Sequence, residues 1–255
     1  MTFRKKLIKP TLITFLVLYF LYLVLSRAPA EIAASVMHKT IPNLWLTGVE
    51  GSVWEGKAKG AQLDLANSAL PLGSLTWSLS AWSLLMLKPC VSFETRGGGP
   101  ILSGVACQSI AGSTSLKDVS IETAIAPFGD VLGAPLSGQG SVNIISAKLS
   151  NRRVEKMDAR VSWQNGSINP GEGWVVLGSY GATVSENNQG GIKAKITDLD
   201  APLQVDLTAE ASLNSWQVVG SVTPQANAHD LLKGGIQLIG EETEPGTYEV
   251  QWSSQ

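Results

Sequence analysis

The sequence is poor in the side chains that do chemistry. Its 255 residues include only two histidines and two cysteines, and the charged fraction is 16 %. So few soft and imidazole donors leave little material for a zinc, haem or iron–sulfur site. Also missing are a G-x-S-x-G elbow, an S-x-x-K pair, an H-E-x-x-H helix and a Walker phosphate loop. His38 follows an apolar segment and His229 stands in a polar stretch that reads as a loop or helix start. Histidines so placed read as solvated rather than catalytic. Asp198-Leu199-Asp200-Ala201-Pro202 reads as a turn between strands, since the loop pattern of an EF-hand is absent. The expectation is a protein without catalytic residues, cofactor or metal.

An excess of positive charge is missing too, except at one place. Nineteen Lys and Arg stand against twenty-one Asp and Glu, a net charge of −2. Arg4, Lys5, Lys6, Lys9 and Arg27 all fall within residues 1–30, which contain no acid. The rest of the chain holds fourteen basic against twenty-one acidic side chains, a net of −7. An acidic body argues against nucleic-acid binding, which needs a basic face to displace counterions.

Between the two basic flanks lies a long apolar run. No side chain from Pro10 to Ser26 is charged. As a helix at about 1.5 Å per residue this run measures ~25 Å, close to the hydrocarbon thickness once Lys9 and Arg27 snorkel. Arg4, Lys5, Lys6 and Lys9 precede it, so the positive-inside rule places the N-terminus in the cytoplasm and the body across the membrane. Ala28-Pro29-Ala30 has the small-x-small form of a cleavage site. The apolar run is nevertheless too long for a signal peptide, and Arg27 sits where a neutral region is expected. An uncleaved single-pass anchor is therefore expected: residues 1–10 cytoplasmic, 11–26 transmembrane, 27–44 a short helical linker, and 45–255 a β-rich domain in an oxidising compartment.

From Trp45 onward a period of two dominates, as in Leu203, Val205, Leu207, Ala209, Ala211 and Leu213. Similar runs are Leu75–Leu79, Val119–Ile125, Ile192–Ile196 and Tyr248–Trp252. Alternation of this kind marks strands with one face in a core and one in water. Turn clusters separate them, among them Gly97–Pro100, Ser137–Gly140, Asn165-Gly166, Asn187–Gly191 and Pro245-Gly246. The fold class expected is mostly β, an antiparallel sheet domain of sandwich, half-barrel or curved-groove type.

Cys90 and Cys107 flank two such strands and the loop Gly97–Pro100. Counting symmetrically about a four-residue loop sets Ser92 against Val105 and Cys90 against Cys107, which predicts a disulfide. Of the eight tryptophans, Trp77, Trp163, Trp216 and Trp252 fall in alternating runs and are expected in the core. Trp45, Trp54, Trp82 and Trp174 are less constrained, and some are candidates for a partner surface.

Three stretches together resemble the type II secretion system protein N family. The first is the anchor leading into Pro29, then Leu46–Ala58, which includes Gly51, Trp54 and Gly56. The second is Leu72–Leu79, with Trp77, and the Trp82–Leu85 that follows. The third holds Gly220 and Pro224 in Val219–Pro224, then Leu231-Leu232, Gly240 and Gly246-Thr247-Tyr248. Pro245 departs from the acidic residue usual before the last glycine, at a turn position. The resemblance implies a single-pass inner-membrane subunit of a Gram-negative secretion machinery that exports folded proteins from the periplasm across the outer membrane. It implies the C, L and M type inner-membrane subunits as partners, with exoprotein substrate as a further one, and offers no catalytic residues. The alternative is a periplasmic lipid-handling protein of the AsmA-like kind. The two differ in whether the alternating faces close on each other or line an open apolar trough.

Overall fold

The computed structural model describes residues 13–17, 19–20, 23, 26–64, 69–129 and 133–254. The expected cytoplasmic stretch with Arg4, Lys5, Lys6 and Lys9, and part of the expected span 11–26, lie outside these. The described residues between 13 and 26 are helical. Among the described residues no helix is long and apolar enough to cross a membrane.

The body is one fourteen-stranded antiparallel sheet. In chain order its strands are β1 (Leu44–Gly51), β2 (Glu55–Asp64), β3 (Ala69–Leu79), β4 (Cys90–Arg96), β5 (Ile101–Gln108), β6 (Thr114–Ala124) and β7 (Leu136–Ser150). Then come β8 (Arg153–Ile168), β9 (Val175–Glu186), β10 (Ile192–Asp200), β11 (Leu203–Ala211), β12 (Trp216–Pro224), β13 (Glu241–Glu244) and β14 (Thr247–Ser253). Each strand lies beside the next in sequence, except that β14 pairs with β12 and β13 lies outside β14. The end strands β1 and β13 do not meet, so the sheet is open. Among the described residues after the apolar run, the α-helices beside the sheet are α1 (Ala30–Thr40), α2 (Ala81–Leu85) and α3 (Asp230–Ile239).

Opposed residues in an antiparallel ladder share a face. The register therefore traces one apolar row across the molecule. It runs through Val49, Ala58 and Leu75, then Ile121, Val142, Val161 and Ala182, then Ile196, Leu207, Gly220 and Val250. The alternation seen in the sequence thus serves a single continuous face. Its two ends are covered on the same side. Helix α1 packs Ala30, Ala33 and Met37 on Ala58, Leu75 and Trp77. Helix α3 sets Ile236 on Val205, Val222, Tyr248 and Val250.

Of three turn clusters, one reverses the chain and two do not. Gly97–Pro100 closes the β4–β5 hairpin, and the fully buried Thr95 pins it: Oγ1 donates to Pro100 O (2.8 Å) and accepts from Leu102 N (2.8 Å). Asn165-Gly166 and Ser137–Gly140, expected as turns, lie within β8 and β7 as bulges. The reason at Asn165-Gly166 is the neighbouring ring, since a Cβ on Gly166 would come within 2.7 Å of Trp163 Cε2. Glycine there makes room for a tryptophan instead of reversing the chain.

Candidate functional site

The concave parts of the surface hold scattered titratable groups. A depression of about 730 Å³ over β1–β5 is lined by Glu50, Lys57, Thr76, Trp77, Ser92 and Glu94, among others. Glu50 pairs with Lys59 and Glu94 with Arg96 at 2.8 Å, and Glu55 lines the depression as well. A second depression of about 780 Å³ at the far end of the sheet contains Trp174, Asp198, Asp200 and His229. His229 is the N-cap of α3, its Nδ1 accepting from Leu231 N (3.2 Å). Asp198 Oδ1 accepts from Val205 N (2.8 Å). Both side chains therefore hold backbone in place. Tyr180 stands opposite Asp198 in the β9–β10 ladder, and burial, reinforced by that carboxylate, pushes its phenol up to about 12. His38 Nδ1 lies 3.1 Å from Leu44 O, and its ring lies 5.0 Å from that of Trp45. Among the described residues no cluster of three or more His, Cys, Asp or Glu is placed to hold a metal.

The motif residues form two separate groups. Gly51 is opposed to Gly56, and Gly56 to Trp77, across β1, β2 and β3. Trp54 lies in the intervening connection, its carbonyl accepting from Leu79 N (2.7 Å). Gly51 has φ +97°, and a Cβ there would meet Glu55 O at 2.5 Å. The chain leading into α1 docks at the same corner: Val53 N donates to Ala28 O (2.9 Å), and Pro29 bridges to Ser52. The second group, Gly220, Pro224 and Gly246, lies at the other end of the sheet. Gly220 sits between Leu207 and Val250, Pro224 faces Leu203 at the end of β12, and Gly246 (φ +80°) turns β13 into β14. These are positions for close approach and chain reversal rather than for reactive groups.

A disulfide joins Cys90 and Cys107, which are opposed in the β4–β5 ladder with Cα atoms 4.0 Å apart. Trp77 is the only tryptophan among the buried core residues, at 4 % exposure, and Trp163 is half-buried. Trp216 and Trp252, expected in the core, are exposed. They lie at the outer end of the apolar face, on β12 and β14, where no element covers them. Trp45, Trp82 and Trp174 are exposed, and Trp54 is half-buried.

The apolar face also stays open in its middle. The two cores lie under α1 and α3, and neither includes a residue of β6–β8. Between them Val119 and Ala159 are buried, but Ile121, Val142, Ile144, Ala182 and Val184 are only half-buried, and Val161 is exposed. Filled sandwich cores bury such positions almost completely. Of these open positions only Ile121 falls in a run that sequence alternation picks out, and alternation carries no signal of what covers the face. Of α3 the sequence offers only the alternative of a helix start at His229, which is the cap of that helix.

Fold and site together define an open, single-sheet antiparallel β protein whose motif residues position backbone. A family model described as type II secretion system (T2SS), protein N, matches residues 42–251. The chain belongs to that family. It is 26 % identical over 233 residues to the type II secretion system protein N of Aeromonas hydrophila, covering 88 % of this chain and 83 % of that one. No solved structure matches.

Proposed function

We propose that the protein is a non-enzymatic subunit of a type II secretion machinery, anchored in the inner membrane by residues 11–26 with its sheet in the periplasm. The observation that carries this reading is the family membership, joined to the way the chain leaves the apolar run. Val53 N donates to Ala28 O, and Pro29 stands opposite Ser52 in a β-bridge. An anchor coupled this way positions the sheet at the membrane instead of trailing it on a loose tether. The described residues of the run carry exposed apolar side chains, including Ile13, Phe15, Leu16 and Phe20, as a lipid-facing helix requires. The disulfide fits an oxidising compartment. In this role the sheet docks neighbouring subunits of C, L and M type by surface complementarity or by strand addition at β1.

The uncovered middle of the apolar face favours a second reading, in which the sheet handles lipid. Photo-crosslinking in living cells from positions on the sheet tests both. Capture of secretion subunits supports the first, and capture of phospholipid supports the second. The anchor itself is tested by alkaline carbonate extraction, which must leave the chain in the membrane fraction.

A further inference from the structure

Because every strand reverses on the next, the connections divide between two ends of the sheet. One end collects residues 52–54, 80–89, 109–113, 151–152, 187–191 and 212–215. These six connections contain no Asp or Glu, but they do contain Lys88 and Arg152. The nearest carboxylates, Glu55 and Glu186, are on strand ends, and Glu186 accepts from Met157 N. The opposite end is acidic, with Glu172, Asp198, Asp200 and Asp230 beside the Glu241, Glu242 and Glu244 of β13. In an acidic body this is a strongly polarised arrangement.

The acid-free end also carries the most exposed apolar tip on the sheet. Trp82 (67 % exposed), Leu85 (75 %), Met86 and Leu87 point outward from the β3–β4 connection, and Ile110 (72 %) from the β5–β6 connection beside it. This tip is braced. Ile110 N donates to Leu87 O, Gln108 N to Pro89 O (2.9 Å), and Cys90 N to Ser83 Oγ (2.9 Å). The Cys90–Cys107 bridge joins the two connections at their root. A rigid apolar prong with no core to enter and a lysine at its base needs an apolar partner. Trp174 and Leu199 are exposed at the opposite end, but among carboxylates.

The exit of the apolar run identifies the partner. Ala28 and Pro29 are held at this same end by Val53 and Ser52, and Leu79, the last residue before the prong, is held by Trp54. With strands about 4.8 Å apart, the exit of the run and the root of the prong lie within a few strand widths of each other. We propose that this end of the sheet is seated on the phospholipid surface. Trp82, Leu85, Met86, Leu87 and Ile110 enter the interfacial layer, and Lys88 and Arg152 meet lipid phosphates. The proposal rests on residues 11–26 being a membrane anchor.

The test uses the full chain in vesicles of phosphatidylethanolamine and phosphatidylglycerol. One sample carries an environment-sensitive fluorophore at Leu85→Cys, and a second carries it at Glu172→Cys on the opposite end. Lipids with quenchers on their acyl chains should quench the label at 85 several-fold more than the label at 172. In the unlabelled chain, W82F should reduce the quenching of tryptophan emission by brominated lipid. A chain that floats with the vesicles while both labels stay equally aqueous overturns the seat and leaves the anchor standing, and it directs the prong to a protein partner. A chain that does not float removes the anchor and the seat together.

Discussion

The ring of Trp77 occupies the space where a side chain on Gly56 would be. A Cβ built on that glycine lies 2.2 Å from Trp77 Cζ2. The two residues are opposed in the β2–β3 ladder, and Trp77 is the largest side chain of the core beneath α1. The contact is between a glycine without strained backbone and a rigid, buried ring, so neither side can yield cheaply. Gly56→Ala should therefore destabilise by about 1–3 kcal/mol through overpacking. Urea unfolding of the detergent-solubilised chain followed by tryptophan emission measures it. A midpoint equal to that of the parent chain would show that the ring moves aside freely.

The C-terminal helix α3 is pinned by one side chain. Ile236 is its buried residue, while Leu238 is 88 % exposed. Ile236→Ala should cost about 2–5 kcal/mol, the range for emptying a packed core position. Leu238→Ala should cost close to nothing. Hydrogen exchange of α3 amides is the sharper readout, and should rise for the first variant alone.

The disulfide closes a separation of 17 residues. Loops of this size are stabilised by about 3 kcal/mol when cross-linked. The double variant Cys90→Ser, Cys107→Ser should lower the unfolding midpoint accordingly. Limited proteolysis should then cut first in residues 80–89 or 109–113, whose root the bridge holds together.

Tyr180 predicts a loss of stability in alkali. Its phenol titrates near 12 in the folded chain because burial, and then Asp198, disfavour the phenolate. The unfolded tyrosine ionises near ~10. Its contribution is therefore complete below the unfolded value and is lost as the pH rises from about 10 toward 12. Tyr180→Phe should flatten stability across that window. Ultraviolet titration of phenolate absorbance should lose its latest-ionising component in the same variant.

Period-two alternation identified β3, β6, β10, β11 and β14, whose inward residues are apolar, but no run in β7, β8 or β9, which carry the middle of the same face. It could not distinguish a sandwich from an open sheet, since both present the same pattern to their cores. Only packing separates them, and here Val142 and Val161 remain partly in solvent. The hairpin about Gly97–Pro100 was legible because its register follows from counting. Asn165-Gly166 misled because the same dipeptide that makes a turn also makes room for a ring. Helix α3 was hidden by Gly234 and Gly235, which weaken any helical signal at about 1 kcal/mol each. Its amphipathic seat on β11, β12 and β14 offsets that cost, and this is a tertiary effect. The four motif residues Gly51, Trp54, Gly56 and Trp77 were legible as a resemblance, but their meeting at the corner that receives Ala28 was not.

The order of strands has a consequence for how the chain is made. From β1 to β12 every strand finds its partner in the segment that emerged immediately before it, so the mean sequence separation across each ladder is short. A polypeptide delivered N-terminus first can lengthen its sheet one ribbon at a time, with α1 already lying on the growing face. Only the last step departs from this rule. Strand β13 arrives before β14, yet β14 takes the place beside β12 and leaves the short β13 outside it. The sheet thus stays extensible throughout synthesis and is capped only by the segment after β12, whose acidic outer strand leaves the next molecule a poor template for continuing it.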